Sequence, residues 1–525
     1  MLKKRICAWA LAGTLFVSLA GCGQPKTGGT GQEPGQNTAG DGKLFAPGTE
    51  ISITIGSHTS WPYNESWIMW KYFQEATGAT FKIQAIPNES IDTKINLMLA
   101  SPDTLPDLIH TISKSAIVDP NAMDGAFIAI DDHLDEMPNF TKYFDSLPKE
   151  QSEELLNQRK SGDGKIYFPP VTGTEKLQNL RAWLYRKDIF EKNNLQAPTT
   201  MEELYQVSKK LKELYPESYP LCFRTGLNQI DVMGPAWRND FCRGVYYDFK
   251  EKTWRFGAQE ETMVEIIEYF QKMQAEGLIP PDYLTIPTKS WEALVTTDRG
   301  FMMPEYLVRM DFFNIPARQE NPDFTLALMA PPKGDGPNGQ AKIAKLNLDP
   351  TGYVICNTKN EGRIANAIKL VDWMYSDEGS ELLSWGKEGE TYEIKDGERR
   401  FIVGDGEAAQ QKYGVVTYGI YQRLDPDAFA ETYSKEQREQ NDAAYDYTEP
   451  NVNPMLWLAF DSEEEAVRKE YRDALVNFND EQLSKFLLGQ RPMSEWDAFQ
   501  KELKDMHVDE VLAIYDSAYK RAMGE

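Results

Sequence analysis

The sequence predicts an α/β protein built as two lobes, and three observations carry that reading. Strand and helix patterns alternate through its first half. Beyond residue 48 about 475 residues remain, more than one hydrophobic core organises. No stretch in that remainder approaches the length of a membrane span.

The elements follow in order. Ile51-Ser-Ile-Thr-Ile55 alternates strictly and reads as a strand, and a helix from about Ser66 carries Trp67, Trp70 and Phe73 on one side and closes at Gly78. A second strand spans Thr80 to Ile86, a second helix carries Ile91, Ile95, Met98 and Leu99, and Pro106 to His110 reads as a third strand. This alternation predicts parallel α/β layers. Further on, Arg181 to Tyr185 is strand-like, and Thr200 caps a helix through Leu204, Val207, Leu211 and Leu214. Met263, Ile266, Ile267, Phe270 and Met273 mark another helix, ended by Gly277, and Ile364, Ile368, Val371 and Met374 a third; the last hundred or so residues read as mostly helical.

The N-terminus sets the expected compartment. Lys3, Lys4 and Arg5 precede an apolar run from Ile6 to Ala20 that ends in Leu19-Ala20-Gly21-Cys22. Basic, apolar and small-residue blocks in that order form a bacterial secretion signal with a lipobox, so residues 1–21 read as a signal peptide and Cys22 as the site of lipidation. The run is too short for a membrane anchor helix, which needs roughly 20 apolar residues. Residues 22–48, rich in Gly, Pro, Gln and Thr, read as a flexible tether.

The net charge of −25 argues against nucleic acid or anionic polymers as ligands and favours a neutral one, although a local basic patch overrides a global charge. With Cys7 in the signal and Cys22 lipidated, Cys222, Cys242 and Cys356 remain, an odd number that excludes a complete internal disulfide framework. A Cys222–Cys242 pair stays open beside buried free thiols.

The four histidines, His58, His110, His133 and His507, lack metal-ligand spacing, and no phosphate-binding loop or Gly-x-Ser-x-Gly elbow occurs. No metal and no cofactor is expected, and no catalytic residue is assigned. Carboxylate pairs for glycoside hydrolysis carry no signal among 81 acidic residues. The conspicuous feature is aromatic content: 12 Trp, 25 Tyr and 24 Phe, most of which a chain this long needs for its core. Trp61-Pro62-Tyr63, however, follows the first strand at its carboxyl end, where open α/β sheets bind ligands.

A series of segments then carries a family resemblance: Ala100-Ser-Pro-Asp-Thr-Leu-Pro-Asp107, Trp183 to Phe190 with Ala197 to Leu204, Glu276-Gly-Leu-Ile279, Trp373 to Gly379, Trp385-Gly-Lys-Glu-Gly-Glu-Thr-Tyr392, and Gly489 to Trp496 before Tyr515 and Arg521. In this order they resemble the family 1 extracellular solute-binding proteins, in the long subgroup called LplA-like. The resemblance implies a two-lobed periplasmic-binding-protein-like fold (type II) whose crossing hinge segments let it close on a sugar. It implies 49–183 plus about 328–390 as one lobe and 184–327 plus about 391–525 as the other, with crossings near Tyr185 and Ala330. It implies a monomeric, lipid-anchored component on the extracytoplasmic face of the membrane, passing an oligosaccharide to ABC permease subunits. A secreted lipid-anchored glycoside hydrolase and a peptide-binding carrier are the alternatives. Many members of the subgroup carry a calcium loop where this chain has only Tyr215-Pro-Glu-Ser-Tyr-Pro220, so no calcium is expected there.

The candidate ligand-binding residues are Trp61, Asp107, Tyr185, Trp237, Arg238, Tyr306, Trp385 and Glu388. Trp61 lies in the Pro-containing turn after the first strand. Asp107 leads into the third strand and reads equally as a sugar-hydroxyl acceptor or a turn acid. Tyr185 shares a strand face with Arg181 and Trp183. Trp237 and Arg238 follow Gly234-Pro235, and Tyr306 follows Met302-Met303-Pro304. Trp385 and Glu388 belong to a Trp-Gly-x-Glu-Gly motif that the resemblance places where a helix end meets the cleft.

Overall fold

The computed structural model describes residues 42–58, 62–101, 104–110, 113–173, 181–334, 339–342, 351–404, 407–417, 420–445, 447 and 458–523. Cys22, the tether up to residue 41, and Trp61 lie outside the described residues.

Two separate sheets organise the chain, as the two-lobed α/β prediction requires. The first is formed by β1 (Glu50–Ser57), β2 (Thr80–Pro87), β3 (Leu108–His110) and β9 (Tyr353–Ile355), in the order β2-β1-β3-β9. β1 and β2 run parallel, from Glu50 opposite Thr80 to Ser57 opposite Pro87, and β3 is parallel to β1. Ile51, Ile53 and Ile55 are buried, and so is Thr54 on the opposite face, so helices cover both sides as in a parallel α/β layer. α1 (Ile68–Thr77) stops at Gly78, whose φ of 80° is left-handed and whose N–H donates to the Gln74 carbonyl. α2 (Ile91–Leu99) then leads to β3. β9 closes the sheet antiparallel to β3, and the helix Glu361–Trp373 packs its Ala367, Ile368, Leu370 and Val371 into the core.

The second sheet consists of β4 (Arg181–Arg186), β7 (Met302–Tyr306) and β8 (Leu326–Met329), ordered β7-β4-β8, while β5 (Val245–Asp248) and β6 (Thr253–Phe256) form a separate antiparallel pair. Here both pairings are antiparallel, Arg181 facing Tyr306 and Trp183 facing Met329, so the parallel arrangement expected from strand–helix alternation is confined to the first sheet. The second core gathers Trp183, the helices Met201–Leu214 and Thr262–Ala275, and the C-terminal residues Leu475, Phe486, Phe499 and Val511. Thr200 caps the first of these helices by accepting from Glu203 N at 3.1 Å.

The cores also show where the chain passes between sheets. Thr172 bridges Arg423 on the first-sheet side, whereas Arg181 already belongs to β4. β8 ends at Met329 and β9 begins at Tyr353. Tyr392, Phe401, Tyr413, Leu424 and Ala428 pack in the first core, whereas Ala444 packs with Ala182 and Leu184 of the second sheet. Cys222, Cys242 and Cys356 are buried free thiols, which settles the open pairing of the first two. Among the described residues no helix is long and apolar enough to cross a membrane.

Candidate ligand-binding cleft

β1 ends at Ser57 and runs directly into His58; β7 ends at Tyr306, shortly before the helix Arg309–Ala317 begins. These ends belong to different sheets, yet they sit within electrostatic reach. Burial first, then the Arg309 and Arg224 guanidinium groups, lower the His58 pKa to about 4, against the opposing pull of Glu89 and Glu292. A group on the first sheet thus senses two cations on the second-sheet side. The two sheets therefore approach each other at these strand ends.

The second-sheet wall is a hydrogen-bonded charge network. Glu305, buried on β7, accepts from Arg224 Nε at 2.6 Å and Nη2 at 3.1 Å, a bidentate pair. Behind it the fully buried Trp291 ring has the Arg224 guanidinium 5.4 Å and that of Arg309 5.3 Å from its centre. Arg309 Nη1 donates to Glu292 at 2.9 Å, and Lys289 Nζ donates to the other oxygen of that carboxylate at 2.9 Å. At the adjoining register pair, Arg181 lies over the Tyr306 ring at 4.5 Å and donates to Tyr306 Oη at 3.1 Å and Gln229 Oε1 at 3.2 Å. Gln229 is anchored in turn on the Pro304 carbonyl. Rigid guanidinium forks and an aromatic face suit a polar ligand with apolar patches.

The residues singled out from the sequence scatter across this frame. Tyr306 stands in the network just described. Asp107 is buried and engaged elsewhere: it accepts from Ser52 N and Oγ at 2.7 Å each and from Arg363 Nε at 2.6 Å, which pins β3 to β1. Tyr185 packs edge-on against Phe190 at 5.1 Å. Trp237, only 2% exposed, is a second-core ring set against Tyr269. Arg238, half-buried with a left-handed φ of 60°, ends the short helical turn Gly234–Trp237. Trp385 is 1% exposed, flanked by Tyr392 and Phe401, and its Nε1 donates to Asp425 at 2.9 Å. Glu388 is exposed beside it, while Lys387 pairs with Glu75 of α1 at 2.6 Å. The Trp-Gly-x-Glu-Gly motif therefore joins a helix end to α1 and to the hairpin that follows. A side chain at Gly386 would strike Thr391 Oγ1, which explains its second residue.

Sequence reasoning assigns no role to Arg224, Glu305, Arg309, Glu292 or Arg181. Arg224 and Glu305 are 81 positions apart, and no spacing rule links them. His58 carries the one usable signal, its place at the carboxyl end of a strand. Among the described residues no group of three or more His, Cys, Asp or Glu gathers as a metal site would.

With this geometry in view, the comparisons decide the family. Residues 69–385, more than half of the chain, match the family described as bacterial extracellular solute-binding protein. The chain belongs to that family. The polygalacturonan/rhamnogalacturonan-binding protein YtcQ of Bacillus subtilis (strain 168) is 22% identical over 471 residues, covering 86% of this solute-binding protein and 88% of YtcQ. Lipoprotein LipO of the same organism is 24% identical over 359 residues, 62% of this chain and 64% of its own. The alginate-binding protein AlgQ2, solved without calcium ion, superposes with a TM-score of 0.75 at 22% identity, covering 91% of this chain and 99% of AlgQ2. The Streptococcus pneumoniae ABC-transporter substrate-binding protein FusA, solved with kestose, gives 0.72 at 18% identity over 91% and 100%. These likenesses carry the two-lobed fold.

Proposed function

We propose that this solute-binding protein is the lipid-anchored receptor of an ABC importer, and that it holds an oligosaccharide between its lobes and delivers it to membrane permease subunits without chemical change. The observation that supports this most is the meeting of His58, from the first sheet, with Arg224 and Arg309 of the second, beside the Arg181–Tyr306 stack. A sugar fits such a wall because its C–H faces lie on aromatic rings while its hydroxyls take hydrogen bonds from guanidinium groups. YtcQ, AlgQ2 and FusA are named for or solved with saccharides, which supports a sugar over a peptide. The carboxylates of the network, Glu305 and Glu292, are each held in an ion pair with an arginine, which favours binding over the hydrolase alternative.

In this reading Trp61 joins the cleft as a stacking ring from the turn after β1, and Tyr306 as one from β7. On the same reading the lobes join between Gly173 and Arg181, between Met329 and Tyr353, and between Ala428 and Ala444; the last lies beyond residue 390 because Tyr392 to Ala428 pack in the first core. Cys22 carries the lipid that holds a monomer at the extracytoplasmic face. Incubating the purified protein with a set of neutral and acidic oligosaccharides tests the function. Thermal stabilisation by some member, with every sugar recovered intact, is the expected result; appearance of shortened products overturns the receptor reading in favour of a hydrolase.

A further inference from the structure

Arg181 differs from its cationic neighbours in the cleft wall. Arg224 holds Glu305 in both arms and Arg309 holds Glu292, so each carries its own counter-charge. Arg181 has no carboxylate within ion-pair distance among the described residues. Its partners among the described residues are neutral: the Gln229 amide oxygen, the Tyr306 hydroxyl and the Tyr306 ring. Among the described residues its buried Nε–H has no acceptor. A half-buried guanidinium left in this state costs free energy, both for the uncompensated charge and for the unmet donor.

The position is also one that a ligand reaches. Arg181 is the first residue of β4, and its register partner Tyr306 ends β7 beside the Glu305–Arg224 pair. His58, on the first-sheet side within electrostatic reach of Arg224 and Arg309, is held neutral at physiological pH and so adds no cation of its own. The chain as a whole is strongly acidic, with a net charge of −25. At physiological ionic strength charges beyond about 8 Å are largely screened, so the local cation decides what is bound.

We propose that Arg181 is the receptor for a ligand carboxylate, and that the transported saccharide is accordingly a uronic-acid-bearing oligosaccharide rather than a neutral one. The proposal rests on the receptor reading above and narrows its substrate class. A carboxylate supplies the missing counter-charge and an acceptor, and the Tyr306 stack holds the guanidinium plane in place to receive it.

The test uses the full-length protein and three probes of equal length: trigalacturonate, its methyl ester and the carboxyl-reduced trisaccharide, alongside a wider set of neutral and acidic oligosaccharides. Titration calorimetry is expected to give at least tenfold tighter binding of trigalacturonate than of the ester, with the difference shrinking as salt rises. In Arg181→Gln that preference falls to near parity, and in Arg181→Lys part of it returns, with melting temperatures confirming that both variants fold. Equal or tighter binding of the ester or reduced sugar by the parent overturns the inference while leaving the receptor reading intact. So does full retention of the acid preference in Arg181→Gln. Failure to bind any sugar of the wider set overturns both.

Discussion

Trp385 shows how one residue type serves either of two ends. A Trp before glycine and acidic residues near a helix end reads from sequence as a stacking platform, but its ring is buried against Tyr392 and Phe401, with Arg399 also over it at 5.3 Å. Trp385→Ala therefore acts on stability: urea unfolding should show a loss of about 3–5 kcal/mol, the range for emptying a large buried aromatic site. A loss under about 1 kcal/mol would mean the site collapses or the ring is not core. His110 illustrates the electrostatic side. It is completely buried, and that burial lowers its pKa to about 3. The unfolded chain takes a proton there near 6.5 while the folded chain refuses it, so this residue's contribution is present above about 6.5 and is lost as pH falls from there toward 3. Melting curves from pH 7 to 4 should thus fall less steeply for His110→Gln than for the parent; identical slopes would refute the assignment. Asp107 was legible only as a choice between turn acid and ligand contact, because its partner Arg363 lies 256 positions away.

At the scale of elements, helix and strand periodicity was widely readable where both local rules agreed. α1, β2 and the Thr200-capped helix have an apolar stripe or alternation together with a start or stop signal, and they form within a few residues of the predicted limits. The hairpin of β10 (Tyr392–Lys395) and β11 (Glu398–Phe401) was missed for the opposite reason. Its Asp396-Gly397 turn is a strong signal, with φ of 54° and 85°, but Glu393, Lys395, Glu398 and Arg399 leave little alternation around it. The antiparallel second sheet escaped because β7 and β8 are short and their pairing spans long sequence separations. The loop from Tyr215 to Pro220 carries a prediction of its own. Lys212 Nζ donates to the Ser218 carbonyl at 2.7 Å, and Arg299 Nε donates to the Glu217 carbonyl at 2.9 Å. Two protein cations use the oxygens that a calcium ion would need, and Glu217 is the loop's one carboxylate. Millimolar calcium should leave the melting temperature unchanged; a rise abolished by Glu217→Gln would contradict this.

For the whole molecule, the separation into two cores with their own sheets is what sequence length and alternation foretold, while the wall of the cleft was hidden. Arg224, Glu305, Arg309 and Glu292 come together only when β7, the helix Arg309–Ala317 and the segments before them fold, so no local pattern announces them. In the proposed receptor each core moves as a rigid body when the lobes close on the ligand. The proposed attachment at Cys22 belongs to this scale as well. Cys22→Ser should move the protein from the membrane fraction to the soluble one or leave its signal uncleaved, and unchanged membrane association of a processed mutant would contradict lipidation. The central claim, that a saccharide is held between the lobes, is tested most directly by small-angle X-ray scattering of the purified protein with and without a saturating oligosaccharide ligand. The account predicts a smaller radius of gyration in the bound state; a tightly bound sugar that leaves the scattering profile unchanged would contradict it.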